Sequence, residues 1–161
     1  MSTPPPPSLL TYHTDIVGLF EQTLSSDEVL TKNYPNLLIA HDVSRRAMAT
    51  TVMDNKNVHN CMVVLNEQRA AKFEWNTGGA AGQQRRILVI DIMARAVETN
   101  NQTAVDIVTG IKRRIRELLF GAVYLNTGWL GHTETSAGFP SPPTRKMAYY
   151  KLTYEVYVTM G

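Results

Sequence analysis

Cysteine occurs once, at Cys61, in a chain of 161 residues. An internal disulfide is therefore excluded, and a reducing compartment fits better than a secreted disulfide scaffold. No apolar run approaches the ~18 residues of a membrane span, and MSTPPPPSLL lacks the basic start and long apolar core of a signal peptide. Neither a membrane segment nor a leader is read. Lys and Arg total 16 against 14 Asp and Glu, leaving a net charge of +2. That is little for the basic footprint of a nucleic-acid-binding domain, so direct nucleic-acid binding gains no support from composition. Only four histidines are present, and no CxxC or HxxxH spacing accompanies them. A zinc site, which wants four ligands, has no local ligand set, and no metal or cofactor is read. No nucleophile elbow and no dinucleotide fingerprint occur either.

What is present is periodic. Thr103 to Phe120 carries Ala104, Ile107, Val108, Ile111, Ile115, Leu118 and Leu119 at helical spacing, one continuous apolar stripe. Thr103 and Asp106 form a capping-box pattern, and Gly121 stops the helix. Ser8 is placed to cap an N-terminal helix over 8–25, with Leu9, Leu10, His13, Ile16, Val17, Phe20 and Leu24 on one face. His13 there reads as a half-buried core residue. Leu37 to Ser44, Cys61 to Leu65 and Arg86 to Val97 read as strands. Both faces of the last are apolar, so it is central or covered by a neighbouring subunit. Tyr149 to Met160 alternates almost without interruption, with Tyr150, Leu152, Tyr154, Val156, Val158 and Met160 facing inward. Between Ser44 and Cys61 there is little period, and Asp54 to Asn57 reads as a turn joining two strands. Pro4 to Pro7 favour an extended, disordered arm over residues 1–7. The expected fold is one α+β domain over 8–161, a mainly antiparallel sheet packed by helices 103–120 and 8–25.

Two loops stand out. Asn76 to Arg86, NTGGAAGQQRR, follows a short aromatic strand ending at Trp75; it lacks the Lys-Ser/Thr ending and following helix of a phosphate loop, and a long hairpin tip is the simpler account. Arg85 and Arg86 would sit at its solvated base or meet a partner's carboxylate. Gly121 to Lys146 is a loop of unusual length holding Tyr124, Leu125, Trp129, Leu130 and Phe139, and loops of that length are usually functional. Its aromatics either suit protein contacts or tuck back on the domain. For chemistry there remain Asp91, expected in a structural ion pair with Arg95, and the pair His59 and Cys61, whose same-face spacing keeps them apart. Lys112 to Arg116 reads as a solvated basic face with Arg113 and Glu117 at i, i+4.

The order helix, strands with a Gly-rich hairpin, amphipathic helix, long loop and closing strand YYKLTYEVYVTM resembles the tail terminator proteins of long-tailed bacteriophages. In those proteins a small α+β domain ends in a comparable L-T-Y-x-V strand, here Leu152-Thr153-Tyr154-Glu155-Val156. The resemblance runs from Ser8 to Met160. It implies a hexameric ring in the virion, assembled in the host cytoplasm, that caps the tail tube, ends elongation and offers a docking surface to the head or neck. It implies no enzyme and no cofactor. The partners would be further copies of the chain, the tail tube protein, a neck or head-completion protein, and a sheath protein where the tail contracts. Interface candidates on this reading are Trp75, Arg85, Arg86, Trp129, His132, Phe139, Arg145 and Lys146. The alternatives are another neck or head-completion protein, an enzyme using Asp91 or His59 and Cys61, and a nucleic-acid module using Arg113 and Arg116.

Overall fold

A computed structural model describes residues 14–54, 58–68, 83–97, 102–120 and 128–159. The proline arm, Ser8 to His13, Trp75 with its aromatic strand, the glycines of the hairpin, Tyr124, Leu125 and Met160 lie outside them. The elements in order are α1 (Ile16–Ser25), α2 (Glu28–Asn33), β1 (Leu37–His41), α3 (Arg45–Met53), β2 (Cys61–Gln68), β3 (Gln83–Arg95), α4 (Ala104–Phe120), β4 (Trp129–Gly138) and β5 (Met147–Thr159). The fold class is α+β, as the periodicities imply.

The strands form one five-stranded sheet in the order β1-β2-β3-β5-β4. β1 runs parallel to β2, and every other pair is antiparallel. A parallel pair needs a crossover, and α3 supplies it. The expected turn at 54–57 lies, apart from Asp54, outside the described residues, but what precedes it is a helix and not a strand: Ser44 accepts a hydrogen bond from the Ala47 N–H and starts a helix that buries Met48 and Val52. Helix α1 also differs from expectation. Its cap is Asp15, which accepts from the Gly18 N–H at 2.9 Å, so the helix begins at Ile16 and not at Ser8. Asp27 caps α2 in the same way through Leu30, giving a helix where the residue pattern shows only a polar passage.

The sheet has two unequal sides. On one, Ile16, Phe20 and Leu24 of α1 and Ile107, Ile111 and Ile115 of α4 cover Val63, Leu65, Ile90, Ile92, Leu152 and Val156 in the larger core. On the other, Met48 and Val52 of α3 pack with Met62, Val64, Met93 and Tyr149 in a smaller core, flanked by the partly buried Leu38, Ala40 and Met147. β3 is therefore central and apolar on both faces for reasons internal to the chain. The helix α4 is as its stripe predicts, closed by the expected box: Thr103 N–H donates to Asp106 Oδ2 at 3.4 Å and Asp106 N–H to Thr103 Oγ1 at 3.2 Å. Gly110 lies inside it because the Tyr34 hydroxyl occupies the space a Cβ would need.

β3, α4 and β4 make a split crossover. β3 and β4 point the same way, and β5 lies between them, antiparallel to both. β4 occupies part of what reads as a structureless loop from Gly121 to Lys146. Its register with β5 shifts between Trp129 and Gly131 and again between Glu134 and Ser136. Such irregularities blunt an outer strand against further pairing.

Candidate functional site

Trp129 does not stand out in solvent as a contact arm; it is 6% exposed. Its Nε1–H donates to His132 Nδ1 at 3.1 Å, and the two rings meet edge to face. Because Nδ1 accepts, the proton sits on Nε2, which donates to the Leu119 carbonyl at 2.8 Å. That carbonyl belongs to the last turn of α4, where the helix itself offers no partner. Trp129 and His132 thus clasp β4 to the end of α4, and burial pushes the His132 pKa down. Phe139 is half exposed, packed edge to face on Tyr150 at 4.9 Å.

The two hairpin arginines part company. Arg86 is buried, and its Nε and Nη2 both donate to the Glu67 carboxylate while Nη1 donates to the Thr14 carbonyl. It is not a solvated base for the hairpin; it ties β2, β3 and the entry to α1 together. Arg85, its neighbour in sequence and hence on the opposite face, donates to Glu155 at 3.1 Å, and Tyr157 donates to the other oxygen of that carboxylate. Arg145 and Lys146 expose their side chains, while their carbonyls accept from Ala104 and Ala96. The eight interface candidates are therefore not one patch: Trp75 is outside the described residues, and the rest divide between structural clasps and separate surfaces.

The chemistry-bearing groups are also dispersed. Asp91 accepts a short hydrogen bond from the Tyr149 hydroxyl, and the Arg45 guanidinium lies 4.7 Å from the centre of that tyrosine's ring. Arg95, the expected partner of Asp91, instead donates to the Val52 carbonyl at 3.0 Å. Burial raises the Asp91 pKa, opposed by the Tyr149 hydrogen bond and by the charges of Lys151 and Arg45. Cys61 lies in the larger core, on the face away from Asp91, and burial pushes its thiol up to about 12. A thiol held protonated there is no nucleophile at neutral pH. His59 hydrogen-bonds to the Asn36 carbonyl through Nδ1. Among the described residues no three His, Cys, Asp or Glu groups converge as a metal site.

The basic face of α4 is largely engaged inside the fold. Arg114, not Arg113, pairs with Glu117, and it also grips Asp27 bidentately at 2.7 and 2.9 Å. That bond holds the Asp27 carboxyl below its usual range. Arg116 grips Glu134 of β4 at 2.9 and 3.1 Å, where Tyr154 also donates. Lys112 lies 4.8 Å from the Tyr150 ring centre. Between these side chains runs an open groove of about 430 Å³ lined by Thr109, Lys112, Arg113, Arg116, Glu117 and Phe120. Phe120 is 96% exposed and Leu130, at the start of β4, is 56% exposed. Phe120 is not among the eight interface candidates, yet its spacing of four from Arg116 and seven from Arg113 puts an aromatic on the polar stripe. That spacing is the signal by which sequence reasoning could find it.

Compared with known proteins, no family model matches the chain, and no curated protein does. Several solved structures match, among them one that is similar over 88% of this chain and 92% of its own, with a TM-score of 0.40 at 13% identity. A likeness at that level carries no argument. Among the described residues no helix is long and apolar enough to cross a membrane.

Proposed function

We propose that the chain is a structural subunit of a phage virion, of the tail terminator kind. Copies join into a ring that caps the tail tube, ends its elongation and presents a docking surface to the head or neck. The observation that carries this reading is the apolar ring of Phe120, left 96% exposed at the end of α4 beside an open groove. Monomers gain nothing from an aromatic exposed on a polar helix face, whereas a subunit interface buries it. The element order and the Leu152-Thr153-Tyr154 strand give the class by resemblance. The reacting groups lend no competing account: Asp91 and Cys61 occupy opposite faces of the sheet, and among the described residues every buried side-chain polar atom has a hydrogen-bond partner.

The test is multi-angle light scattering over a wide concentration range, with negative-stain imaging of the largest species. Closed rings are expected, and particles lacking the protein should carry overlong tails. A chain that stays monomeric throughout and joins no tail tube overturns the reading. Finished tails without heads would instead assign it to another neck or head-completion role.

A further inference from the structure

We infer that the α4 groove is filled by a second copy of this chain, which seats its β1 flank there, so that subunits join head to tail through unlike surfaces. The inference rests on the ring reading above and names the contact that builds the ring. The groove carries Lys112, Arg113 and Arg116 against one carboxylate, Glu117, with Phe120 at its end. Two of the cations are already held: Lys112 by the Tyr150 ring and Arg116 by both oxygens of Glu134. Less side-chain freedom is lost when a partner arrives than on a floppy basic surface. Phe120 supplies an apolar anchor of the sort that carries interface energy.

The complementary surface is in the same sequence. At the end of β1, His41 Nδ1 meets Glu21 Oε2 at 2.5 Å, and Asp42 follows with a left-handed backbone at φ 54°. Glu21 raises the His41 pKa most strongly, and the charges of Asp42 and Asp15 act in the same direction, so this flank carries three carboxylates against one imidazole. This acidic flank borders the first strand of the order β1-β2-β3-β5-β4, while α4 packs on β3 and β5 and reaches the last strand through the ion pair of Arg116 with Glu134. Like surfaces would repel, so two copies meeting groove to groove are disfavoured. Unlike surfaces on opposite flanks give a heterologous contact, which closes into a ring when the rotation between copies divides a full turn.

The experiment uses the full chain and sedimentation velocity, with circular dichroism as the check on folding. Arg113→Glu and Glu21→Lys each change a solvent-accessible side chain and should each raise the concentration needed for assembly by about tenfold or more, because each places like charges in contact. Arg113→Glu combined with Glu21→Lys in one chain should restore assembly, and Phe120→Ser should weaken it. Wild-type rings left intact by both single charge reversals overturn this contact and leave the ring reading standing. Loss in both single variants without rescue in the double overturns the pairing. A wild-type chain that is monomeric throughout overturns the ring reading itself. An acidic peptide or DNA oligonucleotide that binds the wild type, loses binding in Arg113→Glu, and leaves assembly unchanged overturns the second copy as the occupant.

Discussion

Replacing Arg86 by Met probes a charged side chain that the fold buries almost completely. Arg86 is 5% exposed, whereas the Glu67 side chain it grips keeps 30%. Removing one member of a fully buried pair costs about 3–5 kcal/mol, mostly because the other charge is left without a partner. Glu67 can recover water, so the expected loss for Arg86→Met is nearer 2–3 kcal/mol. Glu67→Gln leaves the guanidinium where water scarcely reaches, and its loss is expected to be larger, about 3–4 kcal/mol. The double variant should fall well short of the sum, leaving a coupling of at least ~1 kcal/mol. Urea unfolding followed by circular dichroism reads this directly: with a slope of about 1–3 kcal/mol per molar, a 2–3 kcal/mol loss moves the midpoint by roughly 1–2 M. Additive effects, or a loss below ~0.5 kcal/mol for Arg86→Met, would falsify the claim that this arginine fastens β2 and β3 to the start of α1.

A pH series isolates His132. Burial lowers its folded pKa below the ordinary 6.5, so the unfolded chain takes up a proton first; the stability from neutral His132 is complete above pH 6.5 and is lost as pH falls through the folded value. His132→Gln should flatten that loss between pH 7 and 5; identical slopes in the two proteins would refute the clasp. His41, raised by Glu21, slopes the other way in both proteins and cancels in the comparison. Asp91→Asn keeps an acceptor for Tyr149 and removes a charge that burial disfavours, so its melting temperature at pH 7 should exceed the wild type's. Since the folded pKa is raised, the native carboxyl's own contribution is complete below pH 3.8 and lost as pH rises, and the advantage of Asn should shrink toward pH 4. Gly110→Ala gains roughly 1 kcal/mol of helix propensity but drives a methyl into the Tyr34 hydroxyl, so it should destabilise alone and become neutral or stabilising with Tyr34→Phe, as thermal melts will show. Cys61 should resist alkylation at pH 8 in the native protein and react in urea, because its thiol is buried and pushed up to about 12.

Elements that bury a regular stripe are legible in the order of residues alone. All six residues that α4 buries belong to the stripe of seven, and β5 puts Tyr150, Leu152, Tyr154, Val156 and Val158 inward as its alternation implies. α3 is not legible in this way. It buries only Met48 and Val52, a single i, i+4 pair among threonines and arginines, and β-branched threonines lean toward strand. β4 escapes for a different reason: an outer strand with polar residues such as Thr133, Glu134, Thr135 and Ser136 has no apolar face to alternate. The site is less readable than the fold. The partners of Arg86, Asp91 and Arg116 are chosen by strand register and by the placement of α4 against β4, which no local spacing encodes. Phe120 is the exception, an aromatic out of step with its own helix.

The placement of β5 between β3 and β4 constrains how the sheet is completed. Without β5, β3 and β4 would stand two strand spacings apart, about 10 Å, held only by α4 behind them. β5 must therefore enter a slot and satisfy two registers together, thirteen residues long on the β3 side. A strand inserted this way cannot fray from one edge while the rest of the sheet stays intact. Hydrogen exchange in β3 and β5 should accordingly report one shared opening, and the central sheet behaves as a single latch closed by the element synthesised after both of its neighbours.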